Sequence, residues 1–195
     1  MTSRSESIKI HSEVTARSFS FYCLPFTPIT RHLLSNTYHP TIKVIMMKIK
    51  TVGLASDHAG FALKEIVKQY LDEKGIPYKD YGTNSEESTD YSDYGHTLAQ
   101  AVENGEVYPA IGMCGSGEGI NMTLNKHQGI RAALVWAPEI AHLARQHNDA
   151  NVLVMPGRFI DKDTARSIMD EFFATDFEGG RHQRRIDKIP LQSEK

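Results

Sequence analysis

The chain has 195 residues, 40% of them hydrophobic, and a formal net charge of -2 at pH 7. This length suits one globular domain with a sizeable core. Its longest apolar runs fall short of the roughly 20 residues that a membrane-spanning helix needs, so we expect no membrane partner. Two cysteines, Cys23 and Cys114, lie far apart without metal-ligand spacing. This pattern argues against a disulfide framework or a zinc site and favours a reducing, cytoplasmic setting.

The first 47 residues differ in composition from the rest. They contain five Lys or Arg but only two acidic residues, Glu6 and Glu13, and show no sustained periodicity. Removing them from the 22 basic and 24 acidic residues of the whole chain leaves 17 and 22 in residues 48–195. The remaining net charge of about -5 argues against nucleic acid as a partner. We predict that residues 1–47 are an extension outside the domain: disordered sequence, a misassigned start upstream of Met46 or Met47, or an organelle transit peptide.

From residue 48 onward, strand-like and helix-like segments alternate along the chain. Residues 48–56 (KIKTVGLAS) predict a first strand. Residues 61–75 have the apolar spacing of a helical face and end at a glycine, as a helix C-cap does. Residues 77–82 predict a short second strand. The polar segment 83–94 predicts a loop that leads into a helix through about Asn104.

The second half of the domain continues this alternation. It predicts three further strands, each followed by a helix, in the order 108–115 and 119–127, 130–136 and 138–148, 150–156 and 163–175. Strands that alternate with helices form mostly parallel sheets covered on both faces. The sequence therefore predicts an α/β fold of three layers, αβα and Rossmann-like, in which a five-stranded parallel sheet lies between helices, with a further helix at the C-terminus.

Polar residues follow strands one, three and five, where parallel sheets bind their ligands. They lie in SDHAG (56–60), MCGSGEG (113–119) and PGRFI (156–160). We expect His147, at the end of the helix before strand five, to reach the same edge as His58. Histidines at such positions are often caps or surface residues, but both could transfer a proton near neutral pH. Asp57 could equally cap the next helix.

The segment CGSGEG (114–119) permits two interpretations. A glycine-rich turn after a buried strand points successive N–H groups into one concavity, which binds an anion and favours the thiolate form of a neighbouring cysteine. Cys114 would then be a base or nucleophile, and Ser116 a hydroxyl donor to a developing oxyanion. Alternatively, Cys114 is a small buried hydrophobic residue and Ser116 an ordinary turn residue. The glycine order does not match the dinucleotide-binding fingerprint, so the segment does not favour a nucleotide cofactor.

Three arginines form a second candidate site. Arg181 and Arg185 lie in GGRHQRRI (179–186) and share a face if this segment is helical, which would present two guanidinium groups to a phosphate. Arg158 could supply a third guanidinium at the same rim of the sheet. The alternatives are a solvated basic tail for the pair and a surface loop for Arg158.

Seven motifs in a fixed order are more specific together than any one of them. They are ASDHAGF (55–61), TDYSDYG (89–95), CGSGEGI (114–120), NKHQGIRAAL (125–134), ARQHNDANVL (144–153), PGRFI (156–160) and GGRHQRRI (179–186). Together they closely resemble the ribose-5-phosphate isomerase B family over residues 48–190. The resemblance implies a sugar-phosphate isomerase that works through an enediolate without a metal or other cofactor. It also implies homodimers, or tetramers, whose active sites take residues from both subunits, with the cysteine loop facing a partner's histidine and arginines.

The resemblance gives the cysteine loop two roles. Cys114 matches the base that moves a proton between C2 and C1 of the sugar. The enediolate oxygen would be held by the backbone of Gly115, Ser116, Gly117, Glu118 and Gly119. Ser116 stands where many members have threonine. Some members replace the cysteine by a glutamate just beyond the glycines, and that place is Ile120 here, so Cys114 is the best base candidate and Glu118 the next to test.

The resemblance also gives roles to the residues outside this loop. His147 matches the proton donor that opens the sugar ring, and Asn148 matches its sugar-binding neighbour. Asp57 and His58 match a sugar-binding pair after the first strand. The mainly phosphate-binding positions are matched by Arg158, Arg181 and Arg185.

The motifs leave the identity of the sugar open. The same set serves subunits of galactose-6-phosphate isomerase and relatives that process allose 6-phosphate. An intact set of Cys114, His147 and the three arginines in one chain favours a homodimer that acts on ribose 5-phosphate. Outside the enzymes, the alternative is a sensor that binds a phosphosugar without converting it.

Overall fold

Five strands and six helices lie in residues 49–191, the part of the chain that the computed structural model describes, and they alternate up to the last two helices. The strands are β1 (Val52–Ser56), β2 (Tyr78–Asp80), β3 (Ala110–Cys114), β4 (Ala132–Leu134) and β5 (Val152–Pro156). The helices are α1 (Phe61–Lys74), α2 (Tyr91–Glu103), α3 (Glu118–Leu124), α4 (Pro138–Asn148), α5 (Lys162–Ala174) and α6 (Gln183–Ile186). Each predicted strand and helix is present. The predictions for residues 1–47 lie outside the described residues.

The strands form one parallel sheet in the order β2-β1-β3-β5-β4. Ala110, the first residue of β3, pairs with Val152, and Cys114, the last, pairs with Pro156. All strands therefore end at the same edge, called here the carboxyl edge, and begin at the opposite amino edge. The chain order reverses around β1, which has β2 on one side and β3 on the other. Such a reversal marks the place where parallel sheets bind ligands.

Helices cover both faces of the sheet. Leu54 and Leu153 are buried in the core that the sheet shares with α1, α4 and α5, whereas the next residues, Ala55 and Val154, belong to the core under α2 and α3. This alternation follows from the two-residue period of a strand. The predicted three-layer α/β fold is confirmed. No helix within residues 49–191 has the length and apolarity needed to cross a membrane.

Two helix boundaries differ from the prediction. Helix α2 begins at Tyr91 inside the predicted loop, with Asp90 extended at its N-cap and Asp93 in its first turn, where a negative charge is favourable. Helix α3 ends at Leu124 rather than at residue 127. The side chain of Asn125 accepts a hydrogen bond from the N–H of Ala132 at 3.0 Å and donates one to its carbonyl at 2.9 Å, which turns the chain towards β4.

Candidate active site

The predicted site residues fall into two groups at opposite edges of the sheet. Cys114 is the last residue of β3 and lies at the carboxyl edge. His147 lies in the last turn of α4, which runs back to the amino edge before β5 begins at Val152. A strand of five residues spans about 16 Å, so one subunit cannot bring this thiol and imidazole together. The expectation that His147 reaches the same edge as His58 is therefore wrong, because α4 runs antiparallel to the strands.

The first group, called here the carboxyl-edge group, consists of Asp57, His58, Cys114, the loop 115–119 and Arg158. Asp57 is buried, and its Oδ1 accepts a hydrogen bond from the N–H of Gly60 at 3.0 Å. Gly60 is itself the N-cap of α1, so Asp57 stabilises the turn before the helix rather than capping it. The Nδ1 of His58 lies 3.2 Å from the backbone nitrogen of Thr89 and 3.1 Å from its carbonyl oxygen. Both side chains are thus held beside the end of β1.

Cys114 is 4% exposed and packs in the core under α2 and α3. Its carbonyl accepts a hydrogen bond from the N–H of Gly157 at 2.9 Å, and the carbonyl of Gly115 accepts one from the N–H of Arg158 at 3.0 Å. A Cβ on Gly115 would lie 3.5 Å from Cδ of Arg158. The arginine side chain therefore lies against the cysteine loop. Arg158 belongs with Cys114, and the expectation that it shares a rim with Arg181 is wrong within one subunit.

The loop after Cys114 presents backbone donors. Gly117 has φ +79, and a Cβ there would lie 2.4 Å from Cδ1 of Leu134, so this turn requires glycine. Outside helices and strands, no hydrogen bond to another backbone group in residues 49–191 uses the N–H of Gly115, Ser116 or Gly117. Gly119 belongs to the first turn of α3, whose N–H groups have no partner within the helix. This cluster of N–H groups can hold a negative oxygen.

Neither of the two neighbouring side chains offers a buried carboxylate at the loop. Ile120 is fully buried in the core, and Glu118 is exposed in the first turn of α3. The backbone N–H of Glu118 donates to Oγ of Ser116 at 3.3 Å, which fixes this hydroxyl over the turn. Cys114 therefore stays the best candidate for the base.

The second group, called here the amino-edge group, consists of His147, Asn148, Arg181, Arg185 and His182. The rings of His147 and His182 stack with centroids 4.3 Å apart and planes 6° apart. Glu178 donates its backbone N–H to the carbonyl of Gln146 at 2.9 Å, so the C-terminal segment is attached to the end of α4. The side chains of Arg181 and Arg185 are exposed, and both guanidinium groups lie close enough to His182 for their charges to act on it. Helix α6 begins only at Gln183, after two glycines with positive φ.

His182 is a member of this group to which the motifs gave no role. It is buried, and Nε of Arg181 donates to its Nε2 at 3.2 Å. Burial, and then the charges of His147 and Arg181, hold the pKa of His182 below its ordinary value, although Glu178 opposes them. A neutral imidazole can accept the hydrogen bond from Arg181. His182 therefore orients this arginine and supports the ring of His147.

His147, Glu178 and His182 also form the one cluster of three or more metal-ligating side chains found in residues 49–191, with ligand atoms within 4.8 Å of one another. A tetrahedral zinc ion needs lone pairs that converge on one point about 2.0–2.1 Å from each nitrogen. The lone pairs of two stacked rings lie in nearly parallel planes and do not converge. Arg181 also occupies Nε2 of His182. The cluster does not fit a metal ion, and we assign none.

The family described as Ribose/Galactose Isomerase matches residues 52–189. Ribose-5-phosphate isomerase B of Escherichia coli is 43% identical over 141 residues, which cover 72% of this chain and 95% of the E. coli protein. The chain belongs to the Ribose/Galactose Isomerase family. The family resemblance that the seven motifs carry is thus confirmed.

Solved structures of this family share the fold. A ribose 5-phosphate isomerase from Thermotoga maritima is 49% identical with a TM-score of 0.72, and the match covers 74% of this chain and 99% of that one. Ribose-5-phosphate isomerase B from Mycoplasma genitalium, with bound ribulose-5-phosphate, is 42% identical with a TM-score of 0.67. That match covers 71% of this chain and 93% of the M. genitalium chain. Family members of known structure therefore correspond to the described domain.

Two residues of the motif TDYSDYG contact the carboxyl-edge group, although neither was predicted as a site residue. Thr89 holds His58 through its backbone. Tyr91 lies over the cysteine loop, because a Cβ on Gly119 would be 2.6 Å from its ring. The motif TDYSDYG is visible in the sequence, but its distance along the chain from the other motifs does not show that Tyr91 would lie over the cysteine loop.

Proposed function

We propose that this chain is an aldose–ketose isomerase that interconverts ribose 5-phosphate and ribulose 5-phosphate. The observation that carries the proposal is the cysteine at the end of β3, directly followed by a turn of backbone N–H donors. The substrate is supported by the name of the E. coli relative and by the ribulose-5-phosphate in the M. genitalium structure.

Cys114 acts as the base in this proposal. Its thiolate takes the proton from C2 of the open-chain aldose, the C1–C2 double bond forms, and the carbonyl oxygen at C1 becomes negative. The N–H groups of residues 115–119 hold this oxygen. The hydroxyl at C2 then gives up its proton as the oxygen at C1 takes one, the thiol of Cys114 returns its proton to C1, and the C2–O double bond of the ketose forms. A positioned base typically contributes about 10²–10⁴ in rate, and one oxyanion donor about 10²–10³. The reduced thiol that this step requires suits the cytoplasm, where we place the enzyme.

The amino-edge group prepares the substrate. His147 protonates the ring oxygen as the furanose opens, and Asn148 binds the sugar beside it. Arg181, just before α6, and Arg185, within α6, bind the phosphate, and two exposed guanidinium groups suit its geometry. Arg158 supplies positive charge from the carboxyl edge, where Asp57 and His58 contact sugar hydroxyls.

We propose that a homodimer joins the two groups into complete sites. If a two-fold axis sets the two sheets antiparallel, the carboxyl edge of each subunit meets the amino edge of its partner, and two identical sites form. The distance between the groups within one subunit supports this arrangement. So do three large apolar side chains that are exposed on elements near the carboxyl edge: Met122 (60%), Trp136 (57%) and Phe159 (75%).

One assay tests the proposed function. The full-length protein is incubated with ribose 5-phosphate in EDTA without added cofactor, and ribulose 5-phosphate is quantified over time. We expect conversion in this assay and little or none of galactose 6-phosphate in parallel. Binding of ribose 5-phosphate without turnover would instead indicate a sensor, and turnover of galactose 6-phosphate alone would identify the other branch of the family.

A further inference from the structure

Asp149 follows the proposed ring-opening residue by two positions and has an unusual backbone conformation. With φ 44 and ψ 46, it is the one non-glycine residue with positive φ in residues 49–191. This left-handed conformation ends α4. It is unfavourable for a residue with a Cβ and persists where surrounding contacts fix it. The contacts of Asp149 therefore show which interactions hold this conformation.

The carboxylate of Asp149 lies between two arginines. Its Oδ1 accepts a hydrogen bond from Nη1 of Arg145 at 2.8 Å, and its Oδ2 accepts one from Nη2 of Arg131 at 2.8 Å. Arg145 belongs to α4 and is 3% exposed, whereas Arg131 directly precedes β4. Two charge-assisted hydrogen bonds thus join the end of a helix to the edge strand of the sheet.

The same arginines also hold the backbone around Asp149. Nε of Arg131 donates to the carbonyls of Asn148 and Asp149 at 3.1 and 3.0 Å. Nη1 of Arg145 donates to the carbonyl of Ala150 at 2.6 Å. Three consecutive carbonyls are therefore held by two guanidinium groups that one carboxylate positions. His147 and Asn148 are the last two residues of α4, directly before this point, so the network fixes the end of the helix that presents them.

We propose that Asp149 is a positioning residue for ring opening, which acts through Arg131 and Arg145 on the backbone that presents His147 and Asn148. The inference rests on the proposed function, because it gives Asp149 a part in that reaction. Asp149 influences the amino-edge group only. The proton transfer at Cys114 lies at the opposite edge of the subunit and does not depend on it.

Two substrates distinguish an effect on ring opening from an effect on the proton transfer at Cys114. Ribose 5-phosphate must open its ring, whereas 4-deoxyribose 5-phosphate lacks the oxygen that closes a furanose and is already open. We expect Asp149→Ala to lower kcat on ribose 5-phosphate roughly 10- to 100-fold and on the open analogue about threefold or less. Asp149→Asn keeps the size of the side chain and its tolerance of left-handed backbone but loses the charge, so an intermediate loss on ribose 5-phosphate is expected.

The controls distinguish positioning from general damage. Asp163→Ala, at an exposed aspartate in the first turn of α5, should change neither rate, and Cys114→Ala should lower both. Equal losses of Asp149→Ala on the two substrates, or no loss on ribose 5-phosphate, would overturn the inference. If Asp149→Ala fails to fold, the losses of kcat on the two substrates are compared with Asp149→Asn instead.

A parent enzyme that is inactive on ribose 5-phosphate would contradict the proposed function rather than this inference. If the parent enzyme does not accept the analogue, exchange of the C1 hydrogens of ribulose 5-phosphate with deuterated water reports the ring-independent step.

Discussion

At the residue scale, Cys114 is buried among apolar side chains, so its removal tests chemistry with little damage to the fold. We expect Cys114→Ala to lower kcat by about 10²–10⁴, the contribution of a positioned base. The loss of one sulfur atom from the core should lower the free energy of unfolding by only about 1 kcal/mol. Steady-state kinetics on ribose 5-phosphate and urea unfolding measure the two effects.

Glu118 is the matched control for this prediction. Its side chain is exposed in the first turn of α3, and Glu118→Gln keeps its size while removing the charge. Turnover should stay within about twofold of the parent, because a charge that is not at the reacting carbon contributes little. Near-parental turnover in folded Cys114→Ala, together with a large loss in Glu118→Gln, would transfer the role of base to the glutamate.

His182 makes the stability of the amino-edge group depend on pH. Its pKa is lowered in the folded state by burial and by the charges of His147 and Arg181, so the unfolded chain binds the proton more readily. The contribution of neutral His182 is complete above the ordinary pKa of histidine, about 6.5, and is lost as the pH falls through the lower folded value. We expect His182→Gln to reduce the loss of stability between pH 7 and pH 5, as measured by urea midpoints. An unchanged loss of stability between pH 7 and pH 5 in this variant would show that His182 does not cause it.

At the scale of elements, the turn between β3 and α3 depends on a glycine for two separable reasons. Gly117→Ala would meet both the cost of positive φ and a Cβ placed 2.4 Å from Leu134. We expect a loss of roughly 2–4 kcal/mol in the free energy of unfolding, and a loss of turnover because the N–H donors move. Gly75→Ala is the matched control, since Gly75 has φ +66 at the end of α1 and nothing within 4 Å of an added Cβ.

Gly75→Ala should cost only the backbone term, about 1 kcal/mol, and leave turnover unchanged. Urea unfolding and kcat of both variants check this pair. Equal losses of stability in the two variants would show that the contact with Leu134 relaxes freely. Parental turnover in folded Gly117→Ala would show that the geometry of this turn is not needed for the reaction.

The elements themselves were predictable because their signals are local. The apolar spacing of α1 and its terminal glycine gave both the helix and its end, and Gly75 has the left-handed conformation expected of such a cap. The start of α2 was not predictable from composition, because Asp and Ser favour loops as readily as the first turn of a helix. The end of α3 depends on Asn125 and its contacts with Ala132, seven residues away, which periodicity does not report.

At the scale of the whole molecule, the sequence predicted the candidate site residues but not which edge of the sheet each group occupies. Positions at element ends led us to expect His147 at the edge of His58, and Arg158 at the rim of Arg181, although the resemblance implied active sites shared between subunits. The signal that could have separated them is connectivity: a residue at the end of a helix before a parallel strand lies at the amino edge of the sheet. How two chains then meet depends on surface complementarity between subunits, which no local pattern encodes.

The arrangement across subunits predicts that two nearly inactive variants restore each other. In a dimer of one Cys114→Ala chain and one His147→Ala chain, one site would contain the intact cysteine and the intact histidine, and the other site neither. Random exchange in an equal mixture makes half of the dimers mixed, so about a quarter of parental activity should return.

The control replaces His147→Ala by Arg158→Gln. Arg158 lies against the cysteine loop of its own chain, so both sites of that mixed dimer are defective and little activity should return. Refolding each pair from urea and measuring kcat per site tests this. Little activity from the mixture with His147→Ala would mean that Cys114 and His147 act within one subunit.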